Sequence, residues 1–145
     1  MAEELDANRI LLRIPSRLEW LDLVDRMASG IALLLAFTQE EADGVANSVL
    51  EAGTNAIQHG HRYDPDLPVE IVFEVLSDRL RVRVKDEGPG FDADRVLRAD
   101  PTNPEFLLAP RGRGIFIMRS LMDEVAFSIG EGRGCTAILT KYRKA

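Results

Sequence analysis

Glu51 and Asn55 stand four residues apart in the stretch EAGTNAIQHGH, and Asn47 lies four residues before Glu51. On a helix this spacing puts the three side chains in one row. A carboxylate and a carboxamide so placed could serve as a general base and a hard oxygen ligand for Mg²⁺. The same row also fits the wet side of an ordinary amphipathic helix. His59 and His61 close the stretch only two residues apart, so on a helix they diverge. They lack the i, i+4 spacing of zinc-binding pairs and read as a polar helix terminus, where hydrogen-bonding side chains meet free carbonyls.

Two glycine-rich turns carry the next candidates. Asp86-Glu87-Gly88-Pro89-Gly90 interrupts a strand pattern abruptly. Gly88 and Gly90 allow close approach of a planar ligand to the backbone, and Asp86 could accept from the exocyclic amine of adenine. An acidic surface turn is the plain alternative; a calcium loop is not, because the spaced carboxylates and closing glutamate of an EF-hand are absent. Arg111-Gly112-Arg113-Gly114 leads straight into a helical pattern, which suits a backbone cradle for phosphate or a flexible basic loop. No GxxxxGK[ST] occurs, so it is not a P-loop.

These residues need a scaffold. Arg9 to Ile14 reads as a first strand ended by Pro15, and Ser16-Arg17-Leu18-Glu19 has the form of a capping box opening a helix over Arg17 to Phe37. Thr38-Gln39-Glu40-Glu41 is a second capping box, for a helix running to about Gly60. Val69–Leu76 and Leu80–Lys85 alternate with the strand period around Ser77-Asp78-Arg79. Asp94 to Arg98 reads as one helical turn, and Ala99 to Arg113, with Pro101, Pro104 and Pro110, as a loop. Gly114–Met122 is helical in spacing, and Glu124–Ile129 and Cys135–Tyr142 are strands around a glycine-rich turn. The order describes one α+β domain over 1–145, a two-layer sandwich of a mostly antiparallel mixed sheet with about three helices on one face.

Composition narrows the function classes. Apolar residues make up 46% and charged residues 29%, the balance of a soluble globular domain. The net charge of −6 argues against direct nucleic-acid binding, although arginines gather at 111, 113 and 119. The longest apolar run, Ile31–Phe37, is too short for a membrane span, and the acidic start does not resemble a signal peptide. The lone Cys135 cannot make an internal disulfide, which fits a reducing, cytoplasmic setting.

Taken in order, ExxxN on a helix, DxGxG after a strand, GxG opening a helix and Gly134-Cys135-Thr136 entering the last strand resemble the GHKL, or Bergerat-fold, ATPases. LEAGTNAIQHGH, VKDEGPGFD and RGRGIFIMRSLMDEV are most similar to the anti-sigma-factor serine/threonine kinases, and the likeness spans roughly residues 10 to 142. The resemblance implies ATP and Mg²⁺ as cofactors. Glu51 is then the general base, Asn55 the Mg²⁺ ligand, Asp86 the adenine acceptor, and Gly88 and Gly90 the walls of the base pocket. Residues 99–114 form an ATP lid in which Gly112 and Gly114 wrap the phosphates. Thr136 lies near adenine. By position and charge, Arg111 or Arg113 is expected at the γ-phosphate. The implied activity is phosphorylation of a STAS-type anti-anti-sigma protein by a homodimeric kinase that also binds a sigma factor, with Arg26 near a partner-contacting position. The alternative is a nucleotide-dependent switch that sequesters its partner without phosphoryl transfer.

Overall fold

A computed structural model describes residues 8–90, 111–130 and 134–144. The expected turn at 94–98 and the lid over 99–110 lie outside the described residues. The described residues begin with β1 (Arg9–Ile14), a 3₁₀ turn (Leu18–Trp20), α1 (Leu21–Leu34), α2 (Gln39–Asn55) and a π-helical turn (Ala56–Gly60). β2 (Val69–Val75), β3 (Arg79–Asp86), α3 (Gly112–Leu121), β4 (Glu124–Ile129) and β5 (Cys135–Tyr142) follow. The strands form one sheet in the order β1-β2-β3-β5-β4. Every pairing among the described strands is antiparallel, so the expected mixed character is not found there. The α+β two-layer sandwich is as expected.

Strand alternation sorts the sheet into two faces. Ile71, Phe73, Leu80, Val82, Val84, Ala137 and Leu139 point to the helices and join Val24, Val45, Val49, Ile115 and Met118 in one core. α2 is the centre of the helical layer, packed between α1 and α3 and over β3 and β5. Its apolar residues recur at helical spacing, and burying that row leaves Glu51 and Asn55 facing the start of α3.

The two capping boxes had different fates. Thr38 Oγ1 accepts the Glu41 N–H at 3.1 Å and Glu41 Oε1 accepts the Thr38 N–H at 3.0 Å, so α2 starts where its sequence says. Ser16 makes no cap: the N-cap of the 3₁₀ turn is Arg17, without a side-chain bond, and the α-helix begins only at Leu21. The Ser16 hydroxyl is committed elsewhere, to Leu67 O at 2.6 Å and to His61 Nδ1 at 2.7 Å.

Candidate active site

Two clusters form at the end of α2. In the first, Glu51 is half-buried and Asn55 is 8% exposed, and both lie against the start of α3. A Cβ on Gly114 would sit 3.0 Å from Glu51 Oε2 and 3.3 Å from Asn55 Nδ2. Gly114 and Gly112 are both buried, and the lack of a side chain on Gly114 lets the helix end approach this closely. First-turn N–H groups of a helix have no intrahelical partner and carry the positive end of its dipole. A carboxylate, a carboxamide and an anion-favouring helix end therefore border one space. Arg113 is exposed, on the solvent side of α3.

The second cluster surrounds Asp86, the last residue of β3 and almost wholly buried. Its Oδ1 accepts the Gly88 N–H at 2.8 Å. The π-helical turn carries Gly60 across the carboxylate so closely that a Cβ there would lie 2.6 Å from Asp86 Cγ. Gly88 in turn rests on Gly60, with room for no Cβ, since that atom would come within 2.6 Å of Gly60 Cα. Gly90 adopts φ 77°, which only glycine takes without strain, and the Gly134 N–H donates to Gly88 O, tying the start of β5 to the turn. Burial raises the Asp86 carboxyl above the ordinary aspartate range. The Gly88 N–H and the charge of Arg111 oppose that rise without cancelling it.

Arg111 precedes α3 in the left-handed region, φ 71°, an uncommon conformation for a residue with a side chain. Its charge acts on Asp86, Cys135 and His59, and burial lowers its own pKa. The arginine expected at the γ-phosphate thus has its charge beside the residue expected to hold the base. His59 is lowered by burial first and by Arg111 second.

The structure does not bring Thr136 into this group. Thr136 pairs with Lys85 and Ser128 in the row that faces away from the helices. Cys135 pairs with Asp86 and Ile129 in the inner row, where it is buried beside the carboxylate. Burial, and then the Asp86 charge, push its thiol up to about 11. Counting back by twos from the apolar Leu139 and Ala137 reaches Cys135, so the sequence held that signal. His61 also departs from expectation: it is a buried residue with both ring nitrogens hydrogen-bonded, to Ser16 and to the Glu87 N–H at 2.7 Å. Only residues distant in sequence reveal that role.

Among the described residues no group of three or more His, Cys, Asp or Glu is placed to hold a metal ion. Mg²⁺ takes one or two protein oxygens and fills its remaining positions with phosphate and water. Asn55, beside the helix end that favours phosphate, is the residue present that fits such a role.

A family model described as the histidine kinase-like ATPase domain matches residues 14–141. The chain belongs to that family. The serine-protein kinase RsbW of Bacillus subtilis is 34% identical over 141 residues, 94% of this chain and 87% of that protein. RsbW of Bacillus licheniformis is 33% identical over 140 residues, 94% of this chain and 86% of its own. The crystal structure of the RsbU and RsbW domains of a Mycobacterium tuberculosis protein shares the fold, with a TM-score of 0.66 at 16% identity. That likeness covers 94% of this chain and 33% of the other, so the chain spans about a third of that protein's length. This histidine kinase-like ATPase is an ATP-dependent protein kinase of the serine-protein kinase group. Among the described residues no helix is long and apolar enough to cross a membrane.

Proposed function

We propose that the chain uses Mg-ATP to phosphorylate a serine of a STAS-type anti-anti-sigma protein. It also binds a sigma factor, as a cytoplasmic homodimer in a partner-switching system. The observation that carries this reading is the meeting of Glu51 and Asn55 with the glycine-lined start of α3, one helical turn from the Asp86 pocket. Asp86 accepts from the adenine amine, in a turn where Gly60, Gly88 and Gly90 pack too closely for any side chain. The N–H groups of Gly112 and Gly114 meet the phosphates, and Asn55 holds the metal through its amide oxygen. When bound, Mg²⁺ would neutralise charge on the triphosphate oxygens. Glu51 accepts the proton of the serine hydroxyl as its oxygen bonds to the γ-phosphorus and the bond to the ADP oxygen breaks. Phosphoryl transfer asks little more of a protein than this positioning and electrostatic support.

The test is transfer of labelled γ-phosphate to purified STAS-domain proteins of the same organism. Wild type should label one of them on serine. Glu51→Gln should keep nucleotide affinity and lose at least about a hundredfold in rate, the lower end of what a general base contributes. Glu51→Gln turning over like wild type sinks the catalytic assignment. Tight Mg-ATP binding with no transfer to any STAS protein sinks the proposed substrate.

A further inference from the structure

The turn that follows Asp86 is held from behind by a chain of hydrogen bonds. Ser16, two residues past β1, is fully buried, and His61, just past the π-helical turn, is 3% exposed. The Ser16 hydroxyl has one proton, and its bond to Leu67 O uses it. Ser16 Oγ can therefore only accept from His61, which assigns the ring proton to Nδ1. Nε2 is left as an acceptor, and it receives the Glu87 N–H at 2.7 Å. The His61 backbone N–H is fixed as well, on Ala56 O at 2.8 Å across the π-helical turn. Such turns recur at functional sites, and this one also lays Gly60 against Asp86.

Glu87 is the residue between Asp86 and Gly88. With the Glu87 N–H held by His61 and the Gly88 N–H held by Asp86 Oδ1, the amides of the turn take only one of the two carboxylate oxygens. We propose that His61 is a positioning residue for base recognition, its tautomer set by Ser16, so that the Glu87 amide fixes the direction in which Asp86 presents its second oxygen. The inference rests on the reading of Asp86 as the adenine acceptor. A carboxylate aimed at the 6-position favours the amino group of adenine and opposes the carbonyl oxygen of guanine, so loss of aim costs both affinity and discrimination.

The experiment is calorimetric titration of the full chain with Mg-ADP and with Mg-GDP at a temperature where every variant is folded. His61→Ala should raise the Kd for Mg-ADP about tenfold, the worth of one well-placed hydrogen bond, and narrow the preference over Mg-GDP by a similar factor. His61→Gln should recover most of this, because its Oε1 can accept the Glu87 N–H. Ser16→Ala should weaken Mg-ADP severalfold although it touches no nucleotide, and should add nothing to His61→Gln, which does not depend on the serine. In phosphoryl transfer the KM for ATP should rise while kcat at saturation is kept. Nitrogen NMR should show the His61 proton on Nδ1 and a protected Glu87 amide. A wild type that binds Mg-ADP beside a folded His61→Ala variant within twofold of it overturns the positioning role and leaves the nucleotide site standing. A wild type that binds no adenine nucleotide overturns both. If His61→Ala does not fold, full loss in His61→Gln with no effect in Ser16→Ala overturns the relay.

Discussion

Glu74 and Asp86 are both carboxylates of the central strands, each 3% exposed, and they are held in opposite ways. Glu74 lies on the sheet face away from the helices. Burial pushes its pKa up, but hydrogen bonds from Arg81, at 3.3 Å and 3.4 Å, and from Arg83 outweigh that and leave it below the usual glutamate range. Asp86 lies on the inner face at the mouth of the site. Burial dominates there, and its carboxyl stays above the usual range. A carboxylate that only builds the sheet is fully committed to its partners. Asp86 has its one backbone amide bond from Gly88 and a carboxyl whose charged form burial disfavours.

The largest effect should come from removing the committed carboxylate. Glu74→Ala strands two arginines and should destabilise the fold by about 3 kcal/mol, the low end for a buried pair because Arg81 and Arg83 keep some access to water. Denaturant unfolding measures this, and Mg-ADP affinity of the folded variant should be unchanged. A loss under about 1 kcal/mol would place Glu74 with ordinary surface ion pairs.

Asp86→Asn should do the reverse. With its one carboxamide oxygen on the Gly88 N–H, the amide nitrogen faces the adenine amine donor to donor, and Mg-ADP affinity should fall by about ten- to a hundredfold. The ligand-free variant should melt higher than wild type at pH 7, since the carboxylate charge that burial disfavours is gone. The pH dependence has a definite sign. The folded Asp86 value is raised, so wild type loses stability relative to Asp86→Asn as pH rises from the ordinary aspartate value of about 3.9 through the folded one. Glu74 is lowered, so its contribution is present above about 4.3 and is lost as pH falls through the folded value. Melting curves of Asp86→Asn and Glu74→Gln should therefore lie on opposite sides of wild type at pH 7 and converge on it in acid. Two displacements of the same sign would erase the contrast.

The smallest effect is a probe of the same charge. With its pKa pushed up to about 11, Cys135 should react with a thiol reagent at pH 8 about a hundredfold more slowly than a free cysteine. Asp86→Asn should speed that reaction severalfold, because the neighbouring charge helps hold the thiol protonated. Equal rates in the two proteins would mean that burial alone sets the thiol's reactivity.

Much of the scaffold was legible because its causes are local. β1, β4 and β5 fall where period-two alternation and turn residues placed them, and α2 begins at its capping box because Thr38 and Glu41 find each other within one turn. Glu51, Asn55 and Asp86 were likewise visible as ordered motifs. The same local logic misled at Ser16, whose capping partner is three residues away but whose actual partners, His61 and Leu67, lie 45 and 51 residues along the chain. It also left His61 as a helix ending.

By itself, then, the sequence determined most of the elements, their order and the family, since each rests on contacts within a turn or on spacing along one element. Tertiary structure decided which side chains are spent and which are kept for a ligand. Strand register put Cys135, and not Thr136, beside Asp86, and paired Glu74 with Arg81 on the far face. A hydrogen bond between distant segments depends on how the whole sheet and helix layer dock, and one residue of slip would turn every such side chain to the other face.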